Sequence, residues 1–168
     1  MRCIAETAKP PNSGGTVMGL SDSYFLRNFH PMDVPRIADI VADALREHYE
    51  PSLYISLSRE WPEGYLVAVD GAGMVQGFLL GVNQTPSEGR ILMFAVDAVW
   101  RRRSVGSSLM STFFHRCRMR GLRRVTLEVR VGNDTAIRFY QRYGYTITDL
   151  FQGYYSDGEN GYQMARYL

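Results

Sequence analysis

Arg101-Arg102-Arg103-Ser104-Val105-Gly106-Ser107-Ser108-Leu109-Met110 stands where an apolar strand pattern gives way to a helical one. The strand pattern before it runs from Ile91 to Val96. After it, Val105, Leu109 and Phe113 recur at four-residue intervals, with Met110, Phe114 and Cys117 beside them, up to Gly121. That spacing predicts one apolar helix face. Small residues at a helix start let a ligand approach bare backbone N–H groups, where the helix dipole favours an anion. Arginines add charge-assisted bonds to phosphate oxygens. The stretch therefore reads as a pyrophosphate cradle. Taken alone, a loop of this kind is more often a solvated surface turn. It carries neither the Gly-Lys-Ser/Thr of a P-loop nor a Gly-x-Gly-x-x-Gly fingerprint.

Bulk properties narrow the field. A chain of 168 residues, 45% of them hydrophobic, is long enough for one domain with a core of its own. No apolar run approaches the roughly 20 residues of a membrane span. A formal net charge of +2 is too small to argue for nucleic acid. Lys9 is the only lysine; the bias to arginine suits phosphate binding, but genome composition accounts for it at least as well. Cys3 and Cys117 make no disulfide framework, which predicts a reduced, cytoplasmic protein. His30, His48 and His115 are scattered without ligand spacing, so no metal site is expected. Residues 1–19 hold Pro10-Pro11-Asn12-Ser13-Gly14-Gly15 and no continuous apolar core. They read as a disordered leader rather than a signal peptide or strand, ahead of a single domain over 20–168.

Along that domain, Tyr24 to Phe29 is a first strand, and Asp33 caps a helix with Pro35 in its first turn. Pro51 opens a second helix, closed by Pro62 and Gly64. Strands at Tyr65 to Val69 and Met74 to Val82 flank the turn Asp70-Gly71-Ala72-Gly73, and Asn83 to Gly89 reads as a polar loop. Beyond the cradle helix, Val125 to Val131 alternates apolar and polar residues. Asn133 or Asp134 caps a helix reaching about Tyr143, with Gly144 at C′. Strands near Tyr145 to Tyr154 and Tyr162 to Tyr167 follow, joined through Ser156-Asp157-Gly158. The order β-α-α-β-β-β-α-β-α-β-β is mixed α/β.

Three segments together carry a family resemblance: Arg103-x-x-Gly106-x-Ser108; Leu127-Glu128-Val129-Arg130-Val131-Gly132-Asn133 with Phe139-Tyr140; and the tail from Gly153-Tyr154-Tyr155-Ser156-Asp157-Gly158-Glu159 to Arg166. The chain resembles the GNAT superfamily of N-acetyltransferases from roughly Tyr24 to Leu168. Its tail is similar to those of protein N-terminal acetyltransferase catalytic subunits of the archaeal single-chain type and of ribosomal-protein-alanine acetyltransferases. The resemblance implies a mostly antiparallel mixed sheet of about seven strands, splayed between its two central strands, with about four helices. It implies acetyl-CoA as cosubstrate and the free α-amine of protein or peptide N-termini as acceptor.

Residue by residue, the resemblance implies that Arg102, Arg103, Ser104, Val105, Gly106, Ser107 and Ser108 take the pyrophosphate. Phe94, Ala95 and Val96 would pair with the pantetheine, Asn133 would contact it or cap its helix, and Tyr140 would protonate the departing thiolate. Glu47 would serve as base, with Tyr49, Tyr154 and Tyr155 holding the peptide. Serine stands at 104 and 108 where the family more often has glycine or alanine. Asn160-Gly161 replaces the usual Asp-Ala. Arg90 stands where many relatives carry a histidine, and an arginine does not act as a base, which shifts the proton acceptor to Glu47 or a water. Other readings are acetylation of lysine side chains or small amines, a non-catalytic acyl-CoA-binding subunit, or a ribosome-associated subunit using Arg116, Arg118, Arg120, Arg123 and Arg124. An auxiliary subunit or the ribosome is a possible partner; no membrane and no specific nucleic acid is expected.

Overall fold

A computed structural model describes residues 23–168; the leader reading lies outside the described residues. Among the described residues seven strands form one sheet, in the order β1-β2-β3-β4-β5-β7-β6. These are β1 (Tyr24–Asn28), β2 (Tyr65–Asp70), β3 (Val75–Thr85), β4 (Glu88–Val96), β5 (Arg124–Arg130), β6 (Thr146–Phe151) and β7 (Gly161–Tyr167). Four α-helices, α1 (Val34–Leu45), α2 (Pro51–Glu60), α3 (Val105–Met119) and α4 (Asp134–Arg142), cover its faces. Every neighbouring pair is antiparallel except β4 and β5.

The two faces have separate cores. On one, α3 and α4 bring Leu109, Phe113 and Tyr140 onto Leu79, Ile91, Phe94 and Leu127. On the other, α1 and α2 bring Ile37, Val41 and Tyr54 onto Val67, Phe78, Leu80 and Met93. Gly81 is what allows α3 so near to β3: a Cβ there would lie 2.2 Å from the Phe113 ring.

Several boundaries differ from the sequence reading, each for a local reason. Asp33 occupies the N-cap position of α1, but its carboxylate makes no capping bond there. It turns back instead to accept from the His30 backbone N–H at 2.8 Å and from two Arg27 nitrogens at 2.7 Å each. Asn83 to Gly89 is not a loop. β3 continues to Thr85 and β4 begins at Glu88, so only Pro86 and Ser87 turn the chain. The segment is polar because it runs past the core while its backbone stays paired. β6 ends at Phe151, which leaves Tyr154 and Tyr155 in the connection to β7 rather than in a strand. At α4 the choice between two caps resolves to Asn133, whose Oδ1 accepts from the Ala136 N–H at 3.0 Å. Gly144 takes the expected left-handed conformation with φ 79°.

Candidate active site

The site starts where the central pairing stops. β4 pairs with β5 only through Glu88 to Arg90 against Arg124 to Thr126. Beyond that the strands part, so from Ile91 onward β4 is bonded to β3 alone and turns its other backbone edge into a V-shaped gap. A bulge adds to this: Leu80 faces Met93 while Gly81 faces Ile91, leaving Leu92 as an extra residue. Bulges bend the strand that carries them. Phe94 to Val96, the segment expected to receive a pantetheine, lies on this open edge.

Below the gap is the cradle. Asp97 accepts from the Val99 N–H, and the chain passes through Trp100 into the arginine turn and α3. Arg102 and Ser104 adopt left-handed φ values of 62° and 64°. The first turn of any α-helix leaves its N–H groups without partners inside the helix, and here Val105, Gly106 and Ser107 supply them. A Cβ on Gly106 would meet the Phe94 ring at 3.3 Å, so the cradle and the β4 edge are in close contact. Arg102, Arg103, Ser104 and Ser107 are exposed at the turn. Arg103 lies over the Trp100 ring at 5.3 Å, and Arg101 donates through Nε to the Val96 carbonyl. Ser108 does something the sequence did not announce: its hydroxyl is 2.8 Å from the Tyr24 hydroxyl, tying α3 to β1.

Tyr140 is completely buried, with its ring centroid 6.4 Å from Phe94 and 5.7 Å from both Phe139 and Tyr145. Aromatic residues thus line the α3/α4 side of the gap. Among the described residues no three His, Cys, Asp or Glu side chains assemble as a metal site. Burial pushes the Cys117 thiol up to about 12, so it stays protonated and unreactive.

On the α1/α2 face stand the other expected residues. Tyr49, Tyr154 and Tyr155 pack into the same apolar cluster, so one face of the sheet brings all three together. Glu47 is half-buried in the loop after α1, in the wall of a cavity of about 670 Å³ shared with Asn133, Arg138 and the β6–β7 turn. Arg130 anchors that turn: its Nη1 lies 2.7 Å from both Asp157 and Glu159, and its guanidinium sits 4.0 Å over the Tyr155 ring. The Glu159 N–H, with Arg130 beside it, holds the Asp157 carboxyl below its ordinary range.

Two residues were missed or under-read. Glu128 is 2% exposed at the closed end of the gap, held by Arg90 through two nitrogens at 3.0 and 2.8 Å. Arg90 also donates to the Tyr154 hydroxyl at 3.1 Å. Alternation along β5 could have flagged Glu128, because it shares a face with Thr126 and Arg130; nothing local could have paired it with Arg90.

An open backbone edge between parted strands, a small-residue helix start flanked by arginines on one face and a tyrosine-lined recess on the other suit an acyl-transfer enzyme. The chain belongs to the acetyltransferase (GNAT) family, whose sequence profile matches residues 34–145. It is 30% identical over 155 residues to an N-alpha-acetyltransferase of Sulfurisphaera tokodaii, covering 84% of this chain and 92% of that one. The crystal structure of Ard1 from Thermoplasma volcanium superposes with a TM-score of 0.84 at 43% identity, covering 86% of this chain and 97% of that chain. Naa20 of Chaetomium thermophilum, in complex with a bisubstrate analogue, superposes with a TM-score of 0.80 at 25% identity, covering 86% of each.

Proposed function

We propose that the protein transfers the acetyl group of acetyl-CoA to the free α-amine of protein or peptide N-termini, by direct attack in a ternary complex. The observation that carries this reading is the two-sided gap: a cradle and open β4 edge on one face, and the Tyr49, Tyr154 and Tyr155 recess on the other. The name of the Sulfurisphaera relative, an N-alpha-acetyltransferase, supports the same acceptor. Residues 20–168 act as one catalytic domain.

The residues present fit acetyl-CoA. The N–H groups of Val105, Gly106 and Ser107 would receive the pyrophosphate, with Arg102 and Arg103 adding charge, and Gly106 is small enough for close approach. The β4 backbone edge along Phe94, Ala95 and Val96, where Arg101 holds the Val96 carbonyl, would bond the pantetheine amides as a further strand does. Acetyl-CoA supplies the activated acyl group. A β4 backbone N–H directed at the carbonyl oxygen would contribute about 3 kcal/mol to the barrier reduction. Asn133 shapes this wall by capping α4. Ser108, whose hydroxyl meets that of Tyr24, also ties the cradle to β1.

The proton leaves by a short route. A free α-amine has a pKa of about 7.7–8.0, so roughly a tenth is already neutral at pH 7. Glu47, in the cavity wall, takes the remaining proton directly or through a water. Tyr140 gives its hydroxyl proton to the departing thiolate. The tyrosine recess, roofed by the Arg130-anchored turn, accepts a flexible chain end more readily than a lysine presented from a continuous chain.

Mass spectrometry tests this. Peptides with a free α-amine and blocked lysines, or the reverse, are incubated with acetyl-CoA and the protein. Acetylation confined to the free α-amine is the expected result. Acetyl-lysine as the product moves the assignment to side-chain acetylation, and no product with either set removes it.

A further inference from the structure

We propose that Arg90 is a positioning residue that sets the hydrogen-bond polarity of Tyr154, so that the tyrosine meets the bound peptide as a donor to a backbone carbonyl. The inference rests on the N-terminal acetyltransferase reading above. Arg90 is the last β4 residue paired with β5, at the point where the gap opens. Its Nε and Nη2 both donate to Oε2 of Glu128, and Nη2 donates in addition to the Tyr154 hydroxyl oxygen. Glu128 is almost fully enclosed, its side chain 3% exposed, so its charge requires this counter-ion and the guanidinium plane is held by it.

The chemistry of the two groups then fixes a direction. A guanidinium has donors only and keeps its proton at every accessible pH. A phenol oxygen receiving such an N–H is the acceptor in that bond, and its own proton must point away from Arg90. The same bond polarises the O–H and strengthens it as a donor. On a peptide backbone, the partner for a donor is a carbonyl oxygen, never an N–H. Histidine or glutamine at 90 could accept the phenol proton and reverse this arrangement. Arginine cannot.

The ring has little freedom to escape the constraint. Its centroid is 5.4 Å from Phe151 and 5.2 Å from Tyr155, whose face is covered by Arg130. A Cβ on Gly161 would come within 3.0 Å of the Tyr154 ring. Two arginines, each held by carboxylates, therefore place the two adjacent tyrosines: one through a hydroxyl, the other through a ring face.

The test is a double-mutant cycle on steady-state kinetics of the full chain, with acetyl-CoA and a lysine-free peptide. Arg90→Met alone strands a buried carboxylate, so the first arm is R90M/E128L, which removes both charges together. CoA binding and a cooperative melt report its fold, and R90Q/E128Q replaces it should it not fold. The expected result is a rise of about tenfold in KM for the peptide, as for a lost charge-assisted hydrogen bond, with KM for acetyl-CoA within about twofold. In the Tyr154→Phe background the same pair of changes should add less than about threefold, because the hydroxyl they act through is gone. Equal losses with and without that hydroxyl, or a change confined to acetyl-CoA, overturn the proposal. Wild-type protein that acetylates no α-amine removes the functional reading and this inference together. An active wild type with no coupling in the cycle removes this inference alone.

Discussion

Glu47 and Tyr140 are asked to do different amounts of work. Because roughly a tenth of the α-amine is neutral at pH 7, a base there can gain at most about tenfold. Glu47→Gln should therefore lower kcat/KM about tenfold at pH 7, and the deficit should shrink as the pH passes 8, where the amine deprotonates unaided. A pH–rate profile of both proteins checks this; a deficit constant with pH would assign Glu47 to binding instead. Tyr140→Phe should lower kcat by about a hundredfold while leaving KM for acetyl-CoA nearly unchanged, since general-acid help of this kind typically supplies that much or more. Both proposed roles come only from the pattern around the residues. A tyrosine in a helix is ordinarily core, and Tyr140 is indeed fully buried. Single residues mislead in the other direction too: Asp33 reads as a cap and instead holds Arg27 and His30, and nothing near Ser108 announces its contact with Tyr24. A hydroxyl or carboxylate bonds whatever the fold brings near, and sequence spacing is blind to that partner.

Helix α3 depends on two features of its surroundings. Gly81 leaves room for Phe113, and a methyl group at 2.2 Å from that ring would force the helix or the ring aside. Overpacking of this kind typically costs about 1–3 kcal/mol, so Gly81→Ala should lower the midpoint of denaturant unfolding with an unchanged m-value. Ser104, just before the helix, is in a left-handed conformation that costs a residue with a Cβ about 1–2 kcal/mol. Ser104→Gly relieves that strain but adds about 0.4–1 kcal/mol of unfolded-state entropy. The net expectation is a gain of up to about 1.6 kcal/mol, seen as a Tm raised by up to about 6 °C. Acetyl transfer should survive the change, as the backbone N–H groups are kept. Helices α1, α3 and α4 were legible from periodicity because each buries one continuous face. The β3–β4 hairpin was not, since its far end is polar on both sides and only backbone pairing extends it to Thr85 and Glu88.

Two tyrosines buried in the α1/α2 core make the molecule sensitive to alkali. Burial, then Tyr49, pushes Tyr54 up to about 12, and burial, then Tyr54 and Asp33, pushes Tyr65 well above its ordinary value. A phenol whose pKa is raised in the folded state favours folding fully below about pH 10, its unfolded value. That contribution is lost as the pH rises from about 10 towards 12, so thermal melts should fall steeply over that window. The Tyr54 hydroxyl is buried with no hydrogen-bond partner among the described residues. Tyr54→Phe should accordingly flatten the alkaline limb, and at pH 8 raise Tm rather than lower it, because an unsatisfied buried hydroxyl costs about 1–3 kcal/mol.

Strand and helix order, the cradle, the cap at Asn133 and the glycine at 144 all follow from residues close together in the chain, where hydrophobic period and turn chemistry act. The resemblance of three such segments was enough to place the fold, including the gap between β4 and β5. What required the folded molecule was every relation across the sheet. Arg90 and Glu128 are 38 positions apart, Arg90 and Tyr154 64, Tyr24 and Ser108 84. Such pairs form only when strand register and helix packing bring distant side chains within about 3 Å. No local propensity encodes that distance, and so the face on which the tyrosines, arginines and buried carboxylate converge belongs to the tertiary structure alone.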